Sequence, residues 1–317
     1  MSTVDTNATA IDTVAEGIDK VDISDNNNEK CASCGKEGKS EDMNTCNKCK
    51  MVKYCNAACK KKHRSKHKKK CDRRAAELYD EQLFKDPPPP EECPICMLPL
   101  PINANQSTFE TCCGKTICDG CIYAMKMSEG KDLCAFCRTP PPSTKEEEFN
   151  RLKKLMEKGN DEAINALGSL YRIGDYGLAQ DYEKANELYL KAGELGCATA
   201  YYNLGIAYER GMGGEAYKKK AMYYYELAAI MGSVHARHEL GRDEYRNGNH
   251  HRGVKHFIMA AKAGDMASLG AVKEGFMCGQ VTKDVYSTTL RAHHDRQKEM
   301  KSDERDKAAA SGMYTSG

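Results

Sequence analysis

The 317-residue sequence has no apolar run long enough to cross a bilayer, and 30% of its residues are charged. With a mean hydropathy of −0.70, it predicts a water-soluble chain without a transmembrane helix. The first residues, MSTVDTNATAIDTVAEG, contain neither a basic segment nor an apolar core. We therefore expect no secretory signal and an intracellular protein, in the cytoplasm, the nucleus or both.

The sequence also lacks a glycine-rich loop that would hold a phosphate or a cofactor, and it leaves no room for a cofactor-binding domain. Cysteine nearly vanishes after about residue 146, whereas fifteen of the 17 cysteines lie between Cys31 and Cys137. A secreted disulfide scaffold is one explanation for so many cysteines. The missing signal and the regular two-residue spacing within the pairs favour metal binding in a reducing compartment instead.

The cysteines form two consecutive arrays, each with enough soft ligands for two closed tetrahedral zinc sites. The first array consists of Cys31-x2-Cys34, Cys46-x2-Cys49, Cys55-x3-Cys59 and His67-x3-Cys71. The second consists of Cys93-x2-Cys96, Cys112-Cys113, Cys118-x2-Cys121 and Cys134-x2-Cys137. We therefore expect Zn²⁺ as the cofactor, with four ions per chain if all of these ligands are used.

The first array, with Tyr54 directly before Cys55, resembles a MYND zinc finger at every ligand position. The resemblance implies interleaved metal binding, with one ion held by Cys31, Cys34, Cys55 and Cys59 and the other by Cys46, Cys49, His67 and Cys71. It also implies a partner, because MYND fingers typically bind short proline-containing peptides. Closed sites leave no position for water or substrate, so catalysis at these ions is not expected. MYND fingers often accompany methyltransferases, but the missing cofactor domain argues against that activity.

The first array carries a basic run from Lys60 to Lys70, and residues 31–74 hold fifteen basic residues against four acidic ones. Such runs serve in nucleic-acid binding and in nuclear import. We favour a simpler interpretation, in which the run is the solvated face of the finger's last helix and His67 and Cys71 point toward zinc. No aromatic residues alternate with the lysines as stacking platforms, so nucleic acid is not an expected partner. Nuclear import stays an alternative.

The second array opens with Cys93-Pro94-Ile95-Cys96 and resembles a RING finger over about residues 90–140. The resemblance implies cross-braced metal binding, with one ion held by Cys93, Cys96, Cys118 and Cys121 and the other by Cys112, Cys113, Cys134 and Cys137. If Cys113 alone is the family's third cysteine, Lys115 occupies the usual histidine position. We favour the frame that uses Cys112 and Cys113 together, because a thiolate-rich site suits zinc. Ala135 also departs from the family, since many active members have proline there.

RING fingers contain no nucleophile and act as clamps that hold a ubiquitin-loaded conjugating enzyme in a reactive pose. By position, the resemblance implies that Ile95 and Met125 contact the conjugating enzyme. It implies that Arg138 hydrogen-bonds both the enzyme and ubiquitin, which a planar guanidinium can do. The alternative is that Ile95 and Met125 are packing residues and that Arg138 is a solvated charge.

After about residue 146 a motif of leucine, glycine and tyrosine recurs. Its glycines, Gly168, Gly205 and Gly241, are 37 and 36 residues apart, and the apolar spacing predicts pairs of helices. Gly196 and Gly232 occur where a helix end needs a left-handed residue. The motif resembles Sel-1-like repeats, relatives of tetratricopeptide repeats. We assign the leucine and tyrosine stripes to the core and any binding function to the groove of the stack.

Together these features predict a multidomain protein, with two small cross-braced zinc-binding modules followed by an all-α helical-repeat solenoid. The predicted order is a disordered acidic leader (1–30), a MYND-like finger (31–71), a linker with a short helix at 73–84 and a proline spacer (72–92), a RING-like finger (93–138), a second linker (139–159), the repeats (160–300) and a disordered tail (301–317). A weak fourth repeat is expected to end in a charged helix over 291–305. The proline runs 87–90 and 140–142 are expected to mark domain edges, and Cys197 and Cys278 to be buried.

We favour a RING-type ubiquitin ligase, in which the MYND-like finger and the repeats select substrates. The expected partners are a ubiquitin-conjugating enzyme and peptide ligands, and no membrane. The protein would then be an enzyme without a covalent nucleophile, and its activity would depend on Ile95, Met125 and Arg138. The alternative is a non-catalytic zinc-finger adaptor that mediates protein–protein contacts.

Overall fold

The computed structural model of the chain describes residues 28–129 and 132–312. The chain divides into two compact units, Met1–Lys85 and Asp86–Gly317. Cysteine-rich modules precede a solenoid of helices, so the predicted fold class is confirmed. Among the residues that the structure describes, no helix is both long and apolar enough to span a membrane.

The described residues of the first unit form two short hairpins and one long helix. Strand β1 (Asn28–Lys30) pairs antiparallel with β2 (Glu37–Lys39), and β3 (Asn44–Thr45) pairs with β4 (Lys53–Tyr54). Helix α1 (Ala57–Leu83) follows, and the Asn56 side chain caps it by accepting the backbone N–H of Cys59 at 2.8 Å. The buried cluster of this unit consists of four cysteines and Tyr54. So few apolar side chains cannot stabilise a fold alone, and metal must supply the rest.

Helix α1 is longer than the sequence pattern suggested. We expected a separate short helix over 73–84 within a linker, but these residues continue the helix of the finger as far as Leu83. Neither glycine nor proline occurs within α1, so nothing in the sequence ends the helix after the last ligand. Arg74 also pairs with Glu77 and Glu81 at 3.2 and 2.8 Å, which adds modest support to an exposed helix.

The second unit begins with the second cysteine array. Strands β5 (Ser107–Glu110) and β6 (Lys115–Cys118) form an antiparallel hairpin, and α2 (Asp119–Glu129) follows directly. Ile117 and Ile122 pack among the cysteines. Helix α3 (Lys145–Glu157) lies within the segment 139–159, where we expected a linker. It is ordered because Leu152 and Leu155 are buried where it packs against the next helix.

In the described part of the chain, four helix pairs form the solenoid. They are α4 (Asp161–Ile173) with α5 (Tyr182–Glu194), α6 (Ala198–Arg210) with α7 (Lys218–Ile230), α8 (Val234–Arg246) with α9 (His250–Lys262), and α10 (Met266–Met277) with α11 (Lys283–Glu299). The stripes assigned to the core are buried, as shown by Leu167, Tyr189, Leu204 and Tyr225. The turns between pairs contain Gly196, Gly232 and Gly264, with φ of +119°, +98° and +109°. L side chains rarely adopt these angles, so glycine is required there.

The glycine that defines each repeat allows the two helices of a pair to approach closely. The pairs, with the distance from an added Cβ to the facing ring, are Gly168–Tyr189 at 2.8 Å, Gly205–Tyr225 at 2.5 Å and Gly241–Phe257 at 2.7 Å. A side chain at any of these glycines would collide with an aromatic ring and force the helices apart. The repeated glycine is therefore a packing requirement of the solenoid.

The cysteine-rich module of the second unit and the proline spacer before it pack along the turns between the helix pairs. The contacts, in order along the solenoid, are Asn160 Nδ2 donating to Gly114 O at 3.3 Å, Thr116 Oγ1 donating to Glu162 at 2.6 Å, Pro88 beside Gly232, and Ile102 beside Gly264. Burial raises the pKa of the Glu162 carboxyl above its usual range. Because the module and the repeats form one compact unit, the proline run 140–142 does not mark a domain edge between them.

The ends of the chain also differ from the sequence-based expectations. Helix α11 ends at Glu299, and α12 (Asp303–Ala310) is a separate helix, so no single helix covers 291–305. The tail 301–317 was expected to be disordered, but α12 packs on α2 and buries Arg305 and Ala308. At the other end, 28–30 of the expected leader form β1. Residues 1–27 and 313–317 lie outside the described residues.

The two cysteines outside the arrays have different surroundings. Cys197 precedes α6 and is buried, and burial raises the pKa of its thiol to about 12. Cys278 follows α10 and is exposed, so the expectation that it is buried was wrong. The preceding residues Phe276 and Met277 are exposed as well, so this end of α10 lies outside the core.

Candidate metal centres

Metal-ligating side chains converge in four groups within the described residues. The groups are Cys31, Cys34, Cys55 and Cys59; Cys46, Cys49, His67 and Cys71; Cys93, Cys96, Cys118 and Cys121; and Cys112, Cys113, Cys134 and Cys137. Within each group the ligand atoms all lie within 4.8 Å of one another. These are the same four sets that the two resemblances imply. Ligands that are distant in sequence therefore meet in space.

The distances within the groups fit tetrahedral zinc. A Zn–S bond of about 2.3 Å places the sulfurs of a tetrahedral site about 3.8 Å apart. The Sγ–Sγ distances are 3.7 Å for Cys34–Cys55 and Cys46–Cys71, 3.8 Å for Cys93–Cys121 and Cys96–Cys118, 3.9 Å for Cys113–Cys134 and 3.3 Å for Cys112–Cys137. A disulfide would need about 2.05 Å, and the cysteines are free thiols. The donor set and its spacing therefore agree with several bound zinc ions.

The pair Cys118-x2-Cys121 lies at the junction of β6 and α2, whereas the other four C-x2-C loops share one backbone turn. In each, the carbonyl oxygen of the first cysteine accepts the N–H of the residue four positions later, at 2.9 to 3.0 Å. That residue has positive φ in all four loops: Gly35 (76°), Lys50 (54°), Met97 (56°) and Arg138 (64°). The turn aims both thiols of the pair at one point. Sequence reasoning missed this position because only one of the four residues is glycine.

Thiols this close cannot all ionise without a cation. In the first group, a hydrogen bond from the Cys55 backbone N–H lowers the pKa of Cys31 to about 6. The hydrogen bond with Cys59, burial and the nearby Cys31 together raise the pKa of Cys55 to about 12. A divalent cation would stabilise every thiolate of the group at once and remove this conflict.

His67 belongs to a metal group, whereas the nearby His63 does not. The Nε2 atom of His67 lies 3.2 Å from Cys49 Sγ. The His63 ring stacks on the His67 ring with centroids 5.7 Å apart, and its Nδ1 lies 3.2 Å from the hydroxyl of Tyr54. Tyr54 is buried and also contacts the edge of the His67 ring. Tyr54 and His63 thus hold the ligand imidazole in its orientation.

The adjacent cysteines of the second array both reach the same group. Cys112 Sγ lies 3.3 Å from Cys137 Sγ, and Cys113 Sγ lies 3.9 Å from Cys134 Sγ. Lys115 is exposed at the start of β6 and lies outside the group. Geometry therefore favours the all-cysteine frame over the frame with Lys115 in a ligand position.

The three candidate contact residues of the RING-like module occupy different positions. Ile95 is 42% exposed in the first loop, Arg138 is exposed after the last loop, and Met125 is half-buried on α2. Sequence reasoning overlooked Met97 and Phe136, which are 64% and 47% exposed in the same two loops. The sequence feature that could have identified them is an apolar residue directly beside a candidate zinc ligand. Each of these loops therefore presents apolar surface to solvent.

The basic run forms the outer surface of α1. Its lysines are mostly exposed, whereas His67 and Cys71 are buried on the metal side. This arrangement agrees with the favoured interpretation of a solvated helix face.

Two family models match parts of the chain. The model for the MYND finger matches residues 31–71. The model for the Sel1 repeat matches residues 161–197, 198–233 and 234–265. The chain thus contains a MYND finger and three Sel1 repeats, as predicted, and both are protein-interaction modules. Neither model covers the second array, whose likeness to a RING finger rests on its cysteine pattern and its two ligand groups.

Several solved structures resemble the chain weakly. A Sel1 repeat protein from Oxalobacter formigenes has 22% identity and a TM-score of 0.41, covering 49% of this chain and 64% of that chain. The protective antigen c5321 of uropathogenic Escherichia coli, with an SLR fold, has 24% identity and a TM-score of 0.37, covering 62% and 44%. The chain therefore spans less than two thirds of the length of either protein.

Proposed function

We propose that this protein is a zinc-dependent adaptor that brings other proteins together through its MYND finger and its helical repeats. One observation carries this proposal: each candidate metal group consists of four protein ligands, which leaves no coordination position for a substrate. Metal in such groups organises binding surfaces rather than reacting. The free thiols also suit a reducing intracellular compartment.

The four ligand groups would hold one zinc ion each, which is a proposal of four ions per chain. Zinc in closed sites of this kind contributes about 10–16 kcal/mol of apparent binding free energy to folding. The chain's own residues orient the ligands. The positive-φ turns direct the paired thiols, and the contacts of Tyr54 and His63 fix the ring of His67.

The solenoid offers a partly exposed polar and aromatic face for a partner. On the first helices of adjacent pairs, Asn203 donates to Asn165 at 2.9 Å. The ring of Tyr202 is half-buried and lies 5.7 Å from the ring of His235. Tyrosine, with its apolar body and polar end, is a residue type favoured at protein interfaces. A peptide or a folded domain could pack against this face.

The adaptor proposal is tested with the full-length chain and a panel of proline-containing peptides. The zinc-loaded protein should bind at least one sequence class, and chelation should weaken that binding by at least about tenfold, since the finger loses its fold. Fluorescence anisotropy with labelled peptides measures both. Peptides with alanine in place of proline provide the control. Binding that survives complete zinc removal, or no binding across the panel, would contradict the proposed role of the finger.

A second candidate function is that of a RING-type ubiquitin ligase. The specific observation that favours it is the second array, which combines cross-braced ligand groups, a hairpin and helix α2 with an exposed Ile95 and an exposed Arg138. In this function no residue of the chain forms a covalent intermediate. Ile95 and Met125 would contact the conjugating enzyme, and Arg138 would hold its bound ubiquitin in a reactive orientation.

Replacing Ile95 or Arg138 by alanine should lower autoubiquitination by at least about tenfold, because the reaction depends on orientation. The assay uses a panel of conjugating enzymes, and zinc content must stay unchanged. Arg138→Lys should also be impaired, since an ammonium group cannot make the paired contacts of a planar guanidinium. Lys50→Ala is the matched control, because Lys50 occupies the same positive-φ turn position in the first array. Inactivity of the wild-type chain with every conjugating enzyme would leave the adaptor as the function.

A further inference from the structure

Arg305 connects the C-terminal helix to a loop of the RING-like module. The residue is only 8% exposed. Its Nη1 donates to the carbonyl oxygens of Pro99 at 2.8 Å and Met300 at 2.7 Å. Its Nη2 lies 3.5 Å from Cys96 Sγ and 3.5 Å from the carbonyl oxygen of Leu98. One guanidinium therefore joins α12, the turn before it and the loop that carries two candidate ligands.

The charge of this arginine has a specific electrostatic partner. A buried cation is costly unless an anion or several dipoles compensate it. Arg305 donates to three carbonyl oxygens and lies beside the sulfurs of Cys96 and Cys118. Four thiolates around one Zn²⁺ would leave a net negative charge, so the sulfurs of Cys96 and Cys118 would supply the compensating anion. A hydrogen bond between ionised groups is about twice as strong as a neutral one.

Helix α2 is shaped for this contact by Gly120. A Cβ at Gly120 would lie 2.7 Å from both the backbone nitrogen and the Cγ of Arg305. Gly120 stands between the candidate ligands Cys118 and Cys121. Any other residue there would push α12 away from the metal group. The close approach of α12 to α2 therefore depends on both Gly120 and Arg305.

We propose that Arg305 is a positioning residue for the zinc group of Cys93, Cys96, Cys118 and Cys121, and that this group and helix α12 stabilise each other. The inference rests on the assignment of that group to zinc, which is part of the proposed function. The C-terminal helix is therefore the built-in partner of the RING-like module. It occupies the surface of α2 around Gly120 and leaves Ile95 exposed.

The test measures zinc release from the full-length chain to a colorimetric chelator, together with hydrogen exchange of α12. Arg305→Gln should speed the release of zinc from the RING-like module by about 10- to 100-fold, which is the usual effect of losing a residue that supports a metal ligand. Exchange in 303–310 should accelerate in parallel. Release from the two MYND groups should keep its wild-type rate. Arg305→Lys should release zinc at a rate between those of the wild-type chain and Arg305→Gln. It keeps the positive charge but lacks the planar guanidinium that donates several hydrogen bonds.

Gly120→Ala provides an independent variant, because it keeps the arginine and only obstructs its approach. It should reproduce the faster release and the exposure of α12. The matched control is Gly270→Ala, also in a helix, where an added Cβ meets nothing within 4 Å. Four ions released at wild-type rates from both Arg305→Gln and Gly120→Ala would overturn the inference alone. A wild-type chain that binds only two ions would overturn the inference and the zinc assignment of the second array together.

Discussion

Replacing Cys49 by alanine is expected to remove both zinc ions from the MYND finger and to unfold its hairpins, while the second unit stays folded. Cys49 is 1% exposed, and its Sγ lies 3.2 Å from His67 Nε2. The two ligand groups of the finger alternate along the chain, and its buried cluster is built from the ligands themselves. Loss of one ion therefore also destabilises the site of the other. Each lost ion removes about 10–16 kcal/mol of apparent binding free energy that stabilises the fold.

Metal analysis and hydrogen exchange measure this outcome. The zinc content should fall from about four ions to about two per chain, since each closed group holds one ion. Amide protection should be lost in 28–54 and kept in the repeats. Cys278→Ala is the matched control, because Cys278 is exposed and lies outside the four groups. A Cys49→Ala variant that keeps its full zinc content would show that the group is not a metal site.

The corresponding change in the second array, Cys118→Ala, should also weaken the solenoid. Cys118 is 1% exposed and joins β6 directly to α2, the helix against which α12 packs. Without the metal, the bond from Thr116 to Glu162 and the contacts of Arg305 lose their support. We expect the unfolding midpoint of the repeats to fall by about 10 °C, equivalent to about 3 kcal/mol for a unit of this size.

Circular dichroism at a helix wavelength and calorimetry follow that midpoint. Cys49→Ala serves here as the comparison, because its ligand group belongs to the other compact unit. It should leave the midpoint of the repeats unchanged. If Cys118→Ala lost its zinc and the repeats still unfolded at the wild-type temperature, the RING-like module and the solenoid would be independent domains.

The ligand groups could be read from spacing because metal chemistry is local. Two thiols separated by two residues can face one ion whatever surrounds them, and the interleaving followed from the resemblances. The thiolate-rich pattern of the sequence favours the frame that uses both Cys112 and Cys113. The positions of Cys134 and Cys137 agree with that frame, since each lies against one of the adjacent cysteines.

The repeats could also be predicted from the sequence, because each helix pair contacts mainly its neighbours. The period of the glycines follows from the collision that any side chain at Gly205 would have with Tyr225. The extent of helix α1 was underestimated, since a metal ligand near its middle was taken for its end. Cys278 was expected in the core because it lies among the repeat helices, but the end of α10 is exposed, as Met277 also shows.

By itself, the sequence determined which atoms could bind metal and which residues repeat, because both depend on short, regular spacing. Only the tertiary structure decided that the second array and the repeats share one compact unit and that the charged tail is a helix. Those outcomes depend on contacts between residues about 200 positions apart, such as Arg305 with Pro99. A run of charged residues has no apolar pattern from which a contact with the second array could be predicted. It becomes ordered because carbonyl oxygens and a ligand sulfur are placed to accept its hydrogen bonds.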